Sequence, residues 1–149
     1  MNWTDIGSIA TAIGVLIGVW QIRQNALLNR AQYEDSFDQQ YRSLAMEIPV
    51  DALIGRPIDE SDTQRVRELI YNYLDLSNEQ VYLRTKKRIT KDTWKDWSAG
   101  IRDNLKQPAF QAVWTEIKTN SPGTFSFLEA LERTNFSTDP ASKRFVDSV

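Results

Sequence analysis

Residues 6–22, IGSIATAIGVLIGVWQI, run from Asp5 to Arg23 without a charge. As a helix this uncharged run is about 25 Å long, and counting back to Trp3 brings it near the roughly 30 Å thickness of a hydrocarbon core. Trp3 and Trp20 stand near its two ends, where interfacial aromatics are common. The stretch is therefore expected to be one membrane span; the competing readings are a buried core helix or a helix lying in the membrane plane. No Lys or Arg precedes it and no small-x-small cleavage site follows, so it does not read as a removed leader. Asp5 lies before the run and Arg23 and Arg30 just after it. The positive-inside rule then puts the N-terminus outside and the remaining body in the cytoplasm.

The span differs around its circumference. Gly7, Thr11, Gly14 and Gly18 recur at helical spacing, and Ile6, Ile9, Ile13, Leu16 and Trp20 mark another face. Gly14 and Gly18 make a GxxxG. Small residues let helix backbones approach closely, so this seam is expected to pack against other helices, most simply those of further copies. The alternative is that small residues are simply common in spans.

Past Arg23 the chain continues through residues 21–48, QIRQNALLNRAQYEDSFDQQYRSLAMEI, without Pro or Gly. One helix is predicted from about Trp3 to Ile48. Ile22, Ala26, Tyr33, Phe37, Tyr41, Leu44 and Ile48 form its apolar stripe, with Glu34, Asp35 and Asp38 on the solvated side. Pro49 ends it. A connector, residues 49–60, leads to a capping-box match at Ser61–Gln64 and a second helix reaching about Thr85. Thr90 is expected to cap a third helix over 91–106, with Trp94, Trp97, Ile101 and Leu105 on its apolar face. Pro108 opens a fourth, lined by Phe110, Val113, Trp114 and Ile117. A fifth, about Thr124 to Arg133, faces inward with Phe125, Leu128 and Leu131. Residues 135–149 read as a polar, flexible tail. The predicted fold is all-α: one long N-terminal transmembrane-plus-stalk helix packed on a four-helix cytoplasmic body. The divisions are an anchor at 1–22, a helical domain at 23–134 and the tail at 135–149.

Composition narrows the chemistry. The 149 residues include no cysteine and no histidine. Thiolate nucleophiles, Cys-based zinc sites and the commonest general base are thereby removed. The net charge of −2 conceals an asymmetry: residues 1–83 carry 6 basic and 12 acidic side chains (−6), and residues 84–149 carry 12 and 8 (+4). A nucleic-acid binder is expected to be basic throughout its reading surface, so nucleic acid is not an expected partner.

The sharpest polar feature is the basic turn of Arg84, Lys86, Lys87, Arg88, Lys91 and Lys95. It is a candidate contact for anionic lipid or for a phosphate-bearing partner. The competing reading is a solvated turn that complements the negative end of the preceding helix dipole. The spacing of Trp94, Trp97, Trp114 and Phe110 points to core packing. Asp92, Asp96, Asp103, Glu129 and Glu132 do not converge on a site, and no phosphate loop, nucleophile elbow or metal motif occurs. No catalytic residue, cofactor, metal or small-molecule substrate is expected.

Gln21-Ile22-Arg23-Gln24-Asn25, directly after the span, and the pattern Thr93-Trp94, Trp97, Gly100-Ile101, Leu105, Pro108 and Trp114 have a counterpart elsewhere. Across about residues 5–118 the chain resembles a loose group of uncharacterised bacterial proteins with one N-terminal membrane helix and a small helical cytoplasmic body. The resemblance implies a bacterial origin and that architecture, and carries no activity. The expected function is accordingly a non-enzymatic, single-pass interaction or scaffold protein of the bacterial inner membrane. It would contact membrane lipid and either self-associate or serve as a subunit of a larger membrane complex. The alternative is a conditional membrane effector that permeabilises the membrane on a signal, as in stress or phage defence.

Overall fold

The computed structural model describes the backbone of residues 3–149 and the side chains of residues 15–149. Among the described residues the fold is all-α, with seven α-helices, one 3₁₀ turn and no strand. The helices are α1 (Trp3–Glu47), α2 (Val50–Leu53), α3 (Thr63–Thr85), α4 (Lys91–Asn104), α5 (Pro108–Asn120), α6 (Ser126–Arg133) and α7 (Lys143–Val146). The 3₁₀ turn, Glu60–Asp62, leads into α3.

Among the described residues no helix is long and apolar enough to cross a membrane. This overturns the expected single-pass placement in a bacterial inner membrane with the N-terminus outside. The side chains of residues 6–14, the first half of the expected span, lie outside the described residues. Along the described side chains of α1, Arg23, Arg30, Glu34, Asp35 and Asp38 interrupt the apolar character, whereas a spanning helix needs about 20 predominantly apolar residues.

Packing divides α1 into two parts. From Val15 to Ala31 its side chains are exposed apart from a partly covered Gly18. The second part, from Glu34 onward, lies on α3 and α4. Phe37 and Ile48 enter the core and Leu44 packs at its margin. Ile22 is 70% exposed, so the apolar stripe docks over a shorter length than its periodicity implied. The helix stops where Pro49 follows Ile48, whose own N–H still reaches the Leu44 carbonyl.

Helix α3 is the central post, packing against α1, α5 and α6. Val66, Leu69, Ile70, Tyr73, Leu74 and Val81 are buried along it, and Leu76 and Leu83 are buried on a further side. The capping box at Ser61–Gln64 does not form. Asp62 precedes the helix without a side-chain cap bond, Thr63 Oγ1 donates back to the Asp59 carbonyl, and Gln64 donates to Glu68. The 3₁₀ turn takes the place of the box. Helix α3 runs through Ser77-Asn78 without a break. The Ser77 hydroxyl donates to the Tyr73 carbonyl inside the helix. Asn78 Oδ1 accepts from the N–H groups of Phe127 and Leu128, each at 3.1 Å. Helix α6 is thus capped from another helix, because Phe125 at its own cap position has no side-chain acceptor.

Helix α4 has the predicted Thr90 cap, whose hydroxyl accepts from Thr93 N–H at 3.3 Å. Glu34 of α1 adds a second cap: Oε1 accepts from Thr90 N–H at 2.6 Å and Oε2 from the Thr93 hydroxyl at 2.8 Å. Asp38, one turn on, accepts from Trp97 Nε1 at 3.0 Å. Glu34 and Asp38, expected on the solvated side, face α4 instead; Asp35 is exposed. Residues 135–149 also depart from expectation. Pro140 and Phe145 are fully buried, and Phe145 sits in the short helix α7, capped by Ser142. A largely polar sequence hides two apolar anchors, Pro140 and Phe145, that are buried against the body.

Phe145→Ala is expected to lower unfolding free energy by about 3–5 kcal/mol, and Asn78→Ala by about 1 kcal/mol through the lost cap. Urea titration followed by circular dichroism measures both; a frayed tail would leave the Phe145 variant at wild-type stability.

Candidate functional site

The basic turn is where the sequence concentrates charge, and the structure divides its members. Arg84, on the last turn of α3, is only 8% exposed. Its Nη1 donates to the Ile89 carbonyl at 2.7 Å, while Nε and Nη2 grip both oxygens of Asp139 at 2.9 and 2.6 Å. Arg84 therefore holds the turn and the C-terminal segment together and is not a surface contact. Lys86 lies 5.2 Å from the Tyr82 ring centroid and Arg88 5.5 Å from that of Tyr33, both within cation–π range. Lys87 has φ 57°, the left-handed conformation that ends α3. Its N–H returns to the Arg84 carbonyl and that of Arg88 to the Leu83 carbonyl. Lys91 and Lys95 are exposed on α4. The cluster is thus a structural junction of α1, α3, α4 and the C-terminal segment, with Lys87, Lys91 and Lys95 turned to solvent.

Of the small-residue seam, Gly7, Thr11 and Gly14 lie outside the described side chains. Gly18 has nothing within 4 Å of the position a Cβ would take, so no element of this chain packs on it.

A cleft with more chemical content opens where α1 crosses α3 and α4. It has a volume of about 260 Å³, and α1 supplies Asp38, Tyr41 and Arg42. From α4 come Asp96, Trp97 and Gly100, and from α3 come Tyr73 and Gln80. Sequence reading placed Trp97 in the core; it is only partly buried, tilted against Phe37 at 6.0 Å, and forms one wall here. Tyr73 is held between Phe110, edge-on at 5.2 Å, and Asn104 Nδ2, which donates to its hydroxyl at 2.9 Å. Burial, which disfavours the phenolate, outweighs the Asn104 hydrogen bond and pushes the Tyr73 pKa up to about 12. Gln80 is 4% exposed and Ser77, one turn before it, 1%. Only the meeting of three helices shows Gln80 at a cleft.

A second groove, about 290 Å³, lies between α3 and α5. The bidentate pair of Arg67 and Glu116 crosses it, with Nε to Oε2 at 3.0 Å. Its polar groups satisfy each other, which leaves less chemistry for a ligand. Among the described residues no group of three His, Cys, Asp or Glu side chains is placed to hold a metal.

No family model, curated protein or solved structure matches this chain.

Two pH responses follow from these contacts. Burial alone would raise the Asp139 pKa, but the hydrogen bonds from Arg84 and Ala141 N–H and the charges of Arg84 and Lys91 lower it below the ordinary 3.8. The stability Asp139 contributes is therefore present above that value and lost as pH falls through the depressed folded pKa. Asp139→Asn is expected to be destabilised by about 1–3 kcal/mol at pH 7, and the gap to wild type should shrink in acid. At the other end, Tyr73 keeps its proton in the fold above the pH at which the unfolded chain loses it. Stability should fall by about 2–3 kcal/mol as pH rises from 10 towards 12. Tyr73→Phe should abolish that slope in urea titrations across the range.

Proposed function

We propose that this chain is a non-enzymatic helical interaction or scaffold protein that self-associates through the N-terminal half of α1. One observation carries the reading: the exposed apolar side chains on the undocked length of that helix. Leu16 is 68% exposed, Trp20 61% and Leu28 59%, with Val15, Ile17, Val19, Ile22 and Leu27 alongside them. They are consecutive enough to cover every side of the helix. A helix that is apolar all round is ordinarily surrounded by protein or lipid, and this one has no such cover from its own chain. Among the described residues it contains no span, so the reading rests on protein contacts. From Val15 to Ile22 copies of this segment can meet without like-charge repulsion, because that length carries no charge. Gly18 offers a place where a second helix backbone can come close.

In this reading α1 is a stalk, and α3, α4, α5 and α6 form the four-helix body it packs on. The joint is built to hold the stalk at one angle. Glu34 and Asp38, a turn apart, bond the cap and the indole of α4, and Phe37 between them enters the core. The lack of histidine and cysteine throughout the sequence favours an interaction role over catalysis. A role as subunit of a larger complex uses the same helix surface, with a different protein in place of the second copy.

Sedimentation velocity on the full chain is expected to show a dimer or larger assembly. The double variant Trp20→Glu, Leu27→Glu should raise the dissociation constant at least about tenfold without changing the helical signal or the unfolding midpoint of the body. A wild-type chain that stays monomeric throughout the micromolar range would reject self-association.

A further inference from the structure

The cleft between α1, α3 and α4 contains groups that the fold itself does not use. Gln80 makes no hydrogen bond to any described residue, although only 4% of its surface is exposed. No side-chain nitrogen or oxygen among the described residues is both sealed from solvent and without a partner. The Gln80 amide therefore keeps its remaining access through the cleft it lines. It brings a donor and an acceptor to a space also lined by Tyr41 and Trp97. Its hydrogen-bonding capacity is left to solvent or to a ligand in the cleft.

The mouth carries both signs of charge. Arg42 comes from α1 and Asp96 from α4, and neither forms an ion pair with a described residue. Asp38 adds a second carboxylate, one oxygen of which is taken by the Trp97 indole at 3.0 Å. Opposite charges on the two helices, an aromatic wall and an amide floor are complementary to a small zwitterion. The volume of about 260 Å³ is below the usual range for drug-sized ligands and suits a molecule of amino-acid size.

We propose that this cleft binds a free α-amino acid whose side chain ends in a paired donor and acceptor, as a carboxamide does. The ligand ammonium meets Asp96 and the free oxygen of Asp38, and its carboxylate meets Arg42. Its carboxamide exchanges hydrogen bonds with Gln80 between Tyr41 and Trp97. Because the cleft is made by α1 on one side and α3 and α4 on the other, an occupied site also braces the joint of the stalk.

Isothermal titration calorimetry on the full chain tests this with glutamine, asparagine, leucine, N-acetylglutamine and adenosine as probes. Glutamine or asparagine is expected to bind saturably. Leucine and N-acetylglutamine should each bind at least tenfold more weakly, the first lacking the carboxamide and the second the ammonium. Gln80→Leu should erase the preference for glutamine over leucine. Gly100→Leu should abolish binding, since Gly100 lines the cleft and nothing lies within 4 Å of its Cβ position to hinder folding. Arg42→Ala, at an exposed position, should weaken binding at least tenfold with the thermal midpoint unchanged. The proposal is overturned if neither carboxamide amino acid binds, or if leucine or adenosine binds as well as glutamine. Unaltered glutamine affinity in the Arg42 and Gly100 variants would also reject it. The comparison of probes on the wild-type chain decides the matter even if Gln80→Leu does not fold.

Discussion

A guanidinium withdrawn from water has to find acceptors for its fork of donors, and at Arg84 that requirement draws separate parts of the chain together. Its last-turn position on α3 puts it beneath the bend into α4. Its three bonds reach the Ile89 backbone and both oxygens of Asp139. One side chain thereby sets the path of the turn and brings the C-terminal segment back onto the core. With Asp139 fixed, Pro140 and Phe145 lie where apolar burial holds them. The pair is partly open on the carboxylate side, at 35% exposure, so its strength comes from bidentate geometry as much as from burial.

The other joints of the fold use the same economy of polar groups. Helix ends leave amides without partners, and here two of those ends are completed by other helices. Asn78 on α3 serves α6, and Glu34 on α1 serves α4. Such bonds do more than satisfy donors. Each specifies where one helix begins relative to another, which apolar packing alone defines loosely. Helix α3 supplies much of this wiring, through Asn78 and, nearly two turns on, Arg84.

The two parts of α1 contrast with one another. The C-terminal part is pinned by Glu34, Phe37 and Asp38, while the part from Val15 to Leu28 carries apolar side chains with no cover from its own chain. The cleft sits at the point of attachment, where α1 crosses α3 and α4.

Helical periodicity, Pro49, the Thr90 cap and Pro108 made the order of the elements and most of the core legible from residues alone. Phe110, Val113, Trp114 and Ile117 are buried as their spacing requires, because local pattern and tertiary environment agree there. The same pattern misplaced Glu34 and Asp38, since a carboxylate on a helix looks solvated until a neighbouring helix offers it an amide or an indole. It likewise took Arg84 for a surface charge and residues 135–149 for a loose tail, because the pairing of Arg84 with Asp139 spans 55 positions and no local window contains both. An uncharged run near the N-terminus suggested a membrane span; among the described residues no helix meets the length and apolarity that a span needs. Composition and periodicity thus decide that this chain is helical and where its longer helices lie. Which polar groups are consumed by the fold, and which, like Gln80, are left facing a cleft, was decided only when three helices separated in sequence met.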